Sequence, residues 1–245
     1  MRHRLDQLLV TRGLVQSRAR ASDLITRGAV TVGGRVVGKA GLMVDPDVEI
    51  TVDAAANAYV ARSGAKLVAA LDAFDFDPTG LVALDVGAST GGFTQVLLEK
   101  GANRVYAVDV GHGQLHQSLR DDPRVVCLER HDARELSCQT VSQPIEAIVA
   151  DVSFLSLRQA LPVPLRLAAG SCWLVALVKP QFEAGRAAIG KRGVVRDEVA
   201  RERAVEDIAD FLAASGWRVV GSIASPLPGK EGNREWLIGA VRRDG

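Results

Sequence analysis

The apolar residues of this chain fall into short runs that alternate with amphipathic segments. From residue 59 onward, the runs with the length and composition of β-strands are residues 81–85, 105–109, 125–128, 145–151 and 172–179. The segments with helical spacing of apolar residues are 65–74, 93–100 and 202–215. Two last runs, 217–224 and 235–242, predict an antiparallel hairpin at the sheet edge. Strands that alternate with helices predict an α/β fold with a doubly wound sheet.

The first 52 residues follow a different pattern. The short elements predicted there are two helices, at residues 5–9 and 17–25, and three strands, at 30–32, 35–37 and 48–52. Gly33 and Gly34 favour a hairpin turn between the first two strands. An alanine-rich linker occupies residues 53–58. We therefore expect a small domain with its linker at residues 1–58 and a larger domain at residues 59–245.

Composition is that of a globular protein, with 47% hydrophobic and 24% charged residues. The longest apolar run, residues 172–178, is too short to cross a bilayer, and the N-terminal residues show no apolar signal core. Cys127, Cys138 and Cys172 lack metal-ligand spacing, so we expect three buried thiols in a reducing compartment. These features together favour a cytoplasmic protein without a membrane partner.

Positive charge is concentrated at the N-terminal end of the chain. The whole chain has a net charge of only +1, but residues 1–40 contain eight Lys and Arg against two Asp. A net +6 in so short a segment indicates a small module that contacts a polyanion, attached to a domain with little net charge.

Residues 81–110 form the most informative segment, a strand, a glycine-rich turn, a helix and a second strand. Asp85 ends the first strand and Asp109 ends the second, where a carboxylate can bind two ribose hydroxyls. The turn, residues 87–92, lacks Gly-Lys-Ser/Thr and is not a triphosphate loop. It also lacks the tight Gly-x-Gly-x-x-Gly, so the nucleotide need not be a dinucleotide. An acid before the turn suits a ligand with an amino group, such as S-adenosylmethionine. The alternative is an ordinary strand–helix turn.

Four charged residues end predicted parallel strands: Asp85, Asp109, Asp151 and Lys179. Because the carboxyl ends of parallel strands lie at one edge of a sheet, we expect these side chains to converge there. Pro180 forces extended backbone at Lys179 and ends the strand. Partial burial would lower the pKa of this lysine from about 10.4 and make a neutral amine accessible as a base.

The N-terminal segment resembles the alpha-L RNA-binding module of a small-subunit ribosomal protein, pseudouridine synthases and tyrosyl-tRNA synthetases. The similarity covers residues 4–52, through Arg-Leu-Asp-x-x-Leu, Gly-Leu-Val-x-Ser-Arg and Asp-Leu-Ile-x-x-Gly-x-Val-x-Val-Gly-Gly. It implies that Arg4, Arg18, Arg20 and Lys39 face RNA phosphates. A solvated basic face without a partner is the alternative for any single arginine.

The larger domain resembles the hemolysin A-type (TlyA) ribosomal RNA methyltransferases, within the FtsJ-like ribose 2′-O-methyltransferases. Five segments carry the resemblance: residues 61–67, 84–94, 150–156, 177–183 and 232–237. It implies a Rossmann-like class I methyltransferase fold that uses S-adenosylmethionine to methylate cytidine ribose in ribosomal RNA or ribosomal subunits. The Lys-Asp-Lys-Glu tetrad of the family falls on Lys66, Asp151, Lys179 and Glu235. A structural salt-bridge network is the alternative role for these four.

The resemblance also implies a set of binding residues. Those expected at the cofactor are Asp85, Gly87, Ala88, Ser89, Thr90, Gly91, Gly92, Phe93, Asp109, Val110, Asp132, Ala133 and Asp151. Arg62 and Phe154 join the expected RNA-binding residues, Phe154 by stacking on a base or on the methionine end of the cofactor. The alternatives are a core position for Phe154 and a helix cap for Asp132.

Three other interpretations have less support in the sequence. A non-catalytic RNA-binding assembly factor would keep the fold, but the intact tetrad argues against it. A pore-forming hemolysin lacks support from any spanning or strongly amphipathic basic helix. His112 and His116 have helical spacing but no third ligand for zinc, so we expect exposed or capping histidines and no metal. No heptad seam indicates self-association, and we expect a monomer.

Overall fold

The chain forms two compact units, Met1–Arg62 and Ser63–Gly245. A computed structural model describes residues 2–15, 17–26, 28–53, 59–185, 188–190, 193–229 and 231–243. Residues 54–58 of the predicted linker lie outside this described part. In the described residues no helix is long and apolar enough to span a membrane.

The N-terminal unit packs two helices beside two small antiparallel sheets. Its elements are β1 (His3–Arg4), α1 (Leu5–Thr11), α2 (Arg18–Thr26), β2 (Val30–Val32), β3 (Arg35–Val36), β4 (Met43–Val44) and β5 (Ile50–Val52). One sheet has the order β3-β2-β5 and the other pairs β1 with β4. The Ser17 hydroxyl accepts a hydrogen bond from the Arg20 amide and caps α2. Leu5, Leu9 and Leu24 are fully buried between the elements.

The C-terminal unit alternates strands and helices. Its elements are α3 (Gly64–Phe74), β6 (Val82–Val86), α4 (Gly92–Glu99), β7 (Arg104–Asp109), α5 (Gln117–Arg120), β8 (Val125–Glu129), a 3-10 turn (Ala133–Glu135), β9 (Ile145–Ala150), α6 (Leu157–Ala160), α7 (Pro162–Arg166), β10 (Ala168–Val178), α8 (Pro180–Glu183), α9 (Glu198–Ala214), β11 (Arg218–Ala224) and β12 (Trp236–Arg243). The short helices α5 to α8 were not predicted, because one turn is too short to show apolar periodicity.

A seven-stranded sheet with the order β11-β12-β10-β9-β6-β7-β8 forms the centre of this unit. Strands β10, β9, β6, β7 and β8 are parallel, whereas β12 runs antiparallel to both β10 and β11. The predicted terminal hairpin is therefore present, with β11 at the edge and β12 inserted beside β10. This arrangement brings the carboxyl ends of five parallel strands to one edge, where ligands bind in such sheets.

The central strands are mostly apolar because both faces of the sheet are covered. Leu84 in β6, Ile148 in β9 and Leu174 in β10 are fully buried in one cluster. Burial of each such side chain contributes about 1.5–3 kcal/mol, so these strands form a rigid base for the loops at their ends.

The expectation of three buried thiols is confirmed only for Cys172. Cys172 in β10 is buried and Cys127 in β8 is half-buried, but Cys138 is exposed. Cys138 lies in a turn between the 3-10 turn and β9. Sequence pattern alone did not distinguish this surface turn from the interior.

Candidate active site

A cleft of about 590 Å³ lies at the carboxyl edge of the sheet. It is lined by Val86, Gly87, Ser89, Val108, Asp109, Val110, Gly111, Gln114, His131, Asp132, Ala133, Arg134, Asp151, Val152, Ser153, Phe154, Leu155 and Ala160. Seven of the residues predicted for the cofactor are in this set: Gly87, Ser89, Asp109, Val110, Asp132, Ala133 and Asp151. Its size is within the range of small-molecule sites.

The turn after β6 makes close contact with the segment after β9. Gly87 has φ +84°, and a Cβ there would lie 2.7 Å from the carbonyl oxygen of Asp151. Glycine is therefore required at this position for both its conformation and its size. The contact fixes the first wall of the cleft against Asp151, which the sequence predicts as a tetrad member.

Asp109 is held at the cleft by two backbone amides. Its Oδ2 accepts a hydrogen bond from the Ser89 amide at 2.8 Å, and its Oδ1 accepts one from the Gly111 amide at 2.7 Å. Ser89 adopts a left-handed conformation, φ 47°, which is uncommon outside glycine and asparagine. A carboxylate has about four acceptor positions, so Asp109 keeps capacity for two further donors such as vicinal hydroxyls.

Asp132 serves as a helix cap and also lines the cleft. It accepts a hydrogen bond from the Arg134 amide at the start of the 3-10 turn. The guanidinium of Arg134 also pairs with this carboxylate, at 2.6 Å from Oδ2, and these hydrogen bonds lower the pKa of Asp132. The alternative interpretation as a cap is thus present in the structure, and it is compatible with a position beside a ligand.

Asp85 does not join the other acids at the cleft. It is fully buried below the turn, where its Oδ2 accepts a hydrogen bond from the Thr94 hydroxyl at 2.6 Å. Burial raises the pKa of Asp85 to about 7. Within the described part of the chain, Oδ1 of Asp85 has no hydrogen-bond partner. Of the four strand-end charges expected to converge, Asp85 is therefore the one that lies beneath the cleft.

The remaining residues predicted for the cofactor lie behind the cleft wall. Ala88, Gly91, Gly92 and Phe93 are buried, and Thr90 uses its carbonyl to accept the His116 amide. Gly91 has φ +100°, and a Cβ there would lie only 2.2 Å from a methyl group of Leu119. These positions therefore shape the turn and the start of α4.

Lys179 lies between an acid and a hydroxyl at the end of β10. Its Nζ is 2.7 Å from Oδ1 of Asp151 and donates a hydrogen bond of 2.8 Å to the hydroxyl of Ser153. The lysine is buried except for a small part of its side chain. The ammonium or amine is therefore held in a defined place beside two residues that line the cleft.

Lys66 and Glu235 form a second, more deeply buried pair. Nζ of Lys66 lies 2.5 Å from Oε2 of Glu235, with 5% and 3% of the two side chains exposed. A Cβ at Gly229 would lie 2.5 Å from Oε1 of this glutamate, so the loop before β12 packs directly on the carboxylate. The four predicted tetrad residues thus occur as two ion pairs.

Strand register brings the two ion pairs to the same edge of the sheet. Val178 lies opposite Trp236, so Lys179 and Glu235 are the next residues beyond that pair. Ala150 lies beside Ala176 and Val86, so Asp151 and Gly87 follow at the same edge. Lys66 is supplied by α3, which precedes the sheet in the chain. Four residues from four separate parts of the chain therefore lie at the carboxyl edge of the parallel strands, where Asp151 lines the cleft.

Phe154 stands out at the rim of the cleft. It is 92% exposed and has a left-handed backbone conformation, φ 67°. Strained backbone and a large exposed apolar ring are both uncommon, and together they are typical of functional sites. The alternative interpretation of Phe154 as a core residue is wrong, because the loop after β9 directs the ring to solvent.

Several residues of the site were missed in the sequence. Ser153 contacts Lys179, and Gln114 accepts a hydrogen bond from the Ser89 hydroxyl. Glu129 accepts hydrogen bonds from the amides of residues 113–115, which lowers its pKa to about 2. The position of Glu129 at the end of β8, like that of Asp109 at the end of β7, was the available signal.

The predicted RNA-binding residues of the N-terminal unit differ in exposure. Arg4 and Arg18 are exposed and both bind the buried carboxylate of Asp6, whose pKa their hydrogen bonds lower to about 2. Lys39 is exposed and Arg62 is half-buried. Arg20 has only 11% of its side chain exposed and donates hydrogen bonds to the Tyr59 carbonyl and to Asp23.

Neither histidine with helical spacing has a metal-ligand environment. His112 is exposed, and His116 accepts the Ser118 amide at the start of α5, as expected for a capping residue. Among the described residues no group of three histidine, cysteine or acidic side chains could hold a metal ion. The described site is therefore one of lysines, carboxylates and backbone amides.

The sheet order, the cleft and the two lysine–carboxylate pairs are those of a methyltransferase domain, which follows the small N-terminal unit. The FtsJ-like methyltransferase profile matches residues 59–242, and the S4 domain profile matches residues 3–50. The chain therefore belongs to the FtsJ-like methyltransferase family, in the group that includes the TlyA proteins. The expected family, fold class and enzyme class are confirmed.

Curated relatives cover nearly the whole chain. A Mycobacterium tuberculosis protein named 16S/23S rRNA (cytidine-2′-O)-methyltransferase TlyA is 46% identical over 238 residues, 97% of this chain and 89% of that protein. A Brachyspira hyodysenteriae protein named Hemolysin A is 38% identical over 237 residues, 96% of this chain and 98% of that protein. The match to both units in one relative indicates a shared domain order.

Solved structures agree with this assignment. A Streptococcus thermophilus structure that bears the description hemolysin has 37% identity, covers 100% of this chain and 90% of its own, and gives a TM-score of 0.79. An S-adenosylmethionine dependent methyltransferase from Mesorhizobium loti has 15% identity over 71% of this chain and 96% of its own, with a TM-score of 0.52. The second likeness is one of fold alone.

Proposed function

We propose that this protein is an S-adenosylmethionine-dependent methyltransferase that modifies a cytidine 2′-hydroxyl in ribosomal RNA. The observation that carries the proposal is the Lys179–Asp151 pair, 2.7 Å apart at the edge of the cleft. Relatives with up to 46% identity that are named for this reaction support the choice of substrate. The S4 domain at residues 3–50 supports an RNA partner.

The residues of the cleft fit S-adenosylmethionine. Asp109 has acceptor capacity for the ribose hydroxyls, and the glycine turn at Gly87 leaves its backbone open to close approach. Val110, Ala133 and Asp132 line the side where an adenine ring would lie. When bound there, the cofactor supplies an electrophilic methyl group.

Lys179 is the residue that would accept the ribose proton. A 2′-hydroxyl is a poor nucleophile, and its oxygen must lose a proton as it attacks the methyl carbon. In its neutral form Lys179 can take this proton, and the Asp151 carboxylate stabilises the ammonium that forms. Proton transfer to a positioned base typically contributes about 10²–10⁴ in rate.

Lys66 and Glu235 would orient the ribose. Their ion pair is buried on both sides, so neither side chain can rotate without leaving an unpaired charge. Fixed hydrogen-bonding groups of this kind align a hydroxyl for in-line attack, which can contribute about 7–11 kcal/mol at best. The Lys66–Glu235 pair therefore positions the ribose hydroxyl, while Lys179 accepts its proton.

Phe154 would bind the base next to the reacting ribose. Enzymes that act on one nucleotide commonly turn it out of the stack and place its base against an aromatic ring. The exposed ring of Phe154 is at the rim of the same cleft, three residues after Asp151. Arg4, Arg18 and Lys39 would contact phosphates elsewhere on the RNA.

Methyl transfer to isolated ribosomal components tests the proposal. Methyl-labelled S-adenosylmethionine is incubated with small subunits, large subunits and protein-free rRNA, using the full chain and Lys179→Ala. The matched control is Lys100→Ala, which removes an exposed lysine paired with Asp72. We expect label at one ribose of one substrate, resistant to alkaline cleavage, lost with Lys179→Ala and kept with Lys100→Ala.

Three results would contradict the proposal in different ways. RNA and cofactor binding without any transfer of label would indicate a non-catalytic assembly factor. Label on a base, which leaves the neighbouring phosphodiester sensitive to alkali, would keep the enzyme class but exclude the ribose as substrate. Equal activity of Lys179→Ala and the unmodified chain would remove this lysine from the chemistry.

A further inference from the structure

Glu183 is a buried carboxylate that the tetrad does not include. It ends the one-turn helix α8, four residues after Lys179, and is 7% exposed. Its Oε1 accepts a hydrogen bond from the Leu157 amide at 2.8 Å, and its Oε2 accepts one from the Ser156 hydroxyl. Burial raises the pKa of this carboxyl, while the two hydrogen bonds from Ser156 and Leu157 oppose that rise.

Phe182, the residue before Glu183, contacts Phe154. The ring of Phe182 lies 5.5 Å from that of Phe154, with an angle of 53° between the planes. Such tilted pairs are favourable at this distance. Nζ of Lys179 lies 6.0 Å from the centre of the Phe182 ring, so one ring neighbours both the lysine and the exposed phenylalanine.

The loop that receives these contacts is residues 152–156. At its start, the Asp151 amide donates to the Val86 carbonyl, which ties the loop to β6. Its middle contains the strained Phe154 and Ser153, the hydroxyl partner of Lys179. A left-handed phenylalanine persists only where the surrounding contacts hold it. At the far end of the loop, those contacts come from Glu183.

We propose that Phe182 and Glu183 are positioning residues that hold loop 152–156, and thus the Phe154 ring, in register with Lys179. This inference rests on the proposed function, since it assigns a support to the site where the flipped nucleotide would bind. Glu183 fixes the backbone at the end of the loop, and Phe182 supports the ring. Both residues lie in the one-turn helix that begins directly after Lys179, so this helix supports the lysine and the loop together.

Hydrogen exchange and kinetics of the full chain test this support. Glu183→Ala removes both hydrogen bonds, whereas Glu183→Gln can keep both by accepting from the Leu157 amide and donating to the Ser156 hydroxyl. Phe182→Leu removes the ring contact and keeps an apolar side chain at that position. The matched control is Glu146→Ala, which removes a half-buried carboxylate that accepts the Val82 amide at 3.0 Å, at the start of β6.

We expect Glu183→Ala to speed exchange in residues 152–157 at least about tenfold, with other strands unchanged. The value of kcat/KM for RNA falls at least about tenfold, while the Kd for S-adenosylmethionine stays within about twofold. Glu183→Gln restores most of both effects. Phe182→Leu lowers kcat/KM for RNA with a smaller change in exchange. Glu146→Ala changes neither the exchange of residues 152–157 nor kcat/KM for RNA.

Three results would overturn the inference. In the first, Glu183→Ala leaves the exchange rate of residues 152–157 unchanged. In the second, it speeds exchange across the whole C-terminal unit. In the third, Glu183→Gln restores neither the exchange rate nor kcat/KM. Phe182→Leu tests the support again if Glu183→Ala does not fold, and unaltered kinetics in that variant also count against it. Exchange is measured without RNA, so absence of methyl transfer by the unmodified chain refutes the proposed function and leaves this test intact.

Discussion

Lys66 and Glu235 are 169 residues apart in the chain, yet Nζ of the lysine lies 2.5 Å from Oε2 of the glutamate. Helix α3 supplies one charge and the residue before β12 supplies the other. Both side chains are buried, so each charge depends on the other for its solvation. The pair ties the start of the C-terminal unit to its last strand.

Removal of one member of this pair should destabilise the fold. Lys66→Met leaves the Glu235 carboxylate buried without its partner, which costs about 3–5 kcal/mol. The double variant Lys66→Met/Glu235→Met removes both charges, and we expect it to recover most of that free energy of unfolding without recovering methyl transfer. Urea unfolding and the transfer assay measure the two properties separately. Recovery of activity in the double variant would indicate a purely structural ion pair.

Replacement of Lys179 by arginine separates position from proton transfer. Arginine keeps the positive charge next to Asp151 but does not lose a proton in proteins, so it cannot serve as a base. We expect Lys179→Arg to unfold within about 1 kcal/mol of the unmodified chain and to lose about 10²–10⁴ in kcat. A variant with more than a tenth of the original kcat would exclude proton transfer to this lysine.

Asp109 should control the affinity for the cofactor. Asp109→Ala removes the acceptor for the Ser89 and Gly111 amides together with the proposed ribose contact. Hydrogen bonds to a charged group contribute about 1.5–3 kcal/mol, so we expect the Kd for S-adenosylhomocysteine to rise at least about tenfold in calorimetry.

The control for this experiment is Asp122→Ala, which removes an acid that accepts the Arg124 amide and pairs with its guanidinium. Like Asp109, Asp122 accepts a backbone amide two residues further along the chain. We expect its loss to leave cofactor affinity unchanged. Equal weakening by both variants would indicate a general loss of stability.

The buried Asp85 should make stability depend on pH. Burial raises its pKa in the fold to about 7 from 3.8, so folding takes up a proton between these values. This contribution is fully present below about pH 4 and is lost as the pH rises through 7, with a size of up to about 4 kcal/mol. Asp85→Asn keeps an acceptor for the Thr94 hydroxyl and removes the titration.

Urea unfolding at pH 5 and pH 8 measures this effect without a cofactor. Between the two pH values, we expect the free energy of unfolding to fall more in the unmodified chain than in Asp85→Asn. The reason is that the buried Asp85 loses its proton by pH 8, whereas the asparagine of the variant does not titrate. The difference between the two chains isolates this group from other titrations. If both chains show the same pH dependence, Asp85 is not a neutral buried carboxyl in the folded chain.

Arg18 and Arg20 are two residues apart in α2 and should have different roles. The Arg18 side chain is 57% exposed, whereas Arg20 is largely buried against Tyr59 and Asp23. We expect Arg18→Ala to weaken RNA binding and to reduce the slope of log Kd against log salt by about 0.7–0.9, as for one phosphate contact. Arg20→Ala should instead lower the thermal midpoint. Equal salt slopes for Arg18→Ala and the unmodified chain would exclude a phosphate contact at Arg18.

Local pattern was sufficient to predict most of the larger elements. The runs at residues 81–85 and 105–109 correspond to β6 and β7, and residues 65–74 correspond to α3. Buried strands and amphipathic helices bury their apolar residues at fixed periods, and this period can be read from the chain. One-turn helices such as α8 have too few residues for a period, and β1 and β4 are strands of two residues whose pairing depends on distant partners.

The sequence by itself determined the strand ends and the glycine turn, and its resemblance to a known family gave Lys66, Asp151, Lys179 and Glu235 as candidates. Motif spacing is local, and strand-end residues of parallel strands share one edge of the sheet. Only the tertiary structure decided that Lys66 pairs with Glu235, that Asp85 is buried under the turn, and that Glu183 contacts the Phe154 loop. These outcomes depend on strand order, register and side-chain direction, which bring together residues that are distant in the chain.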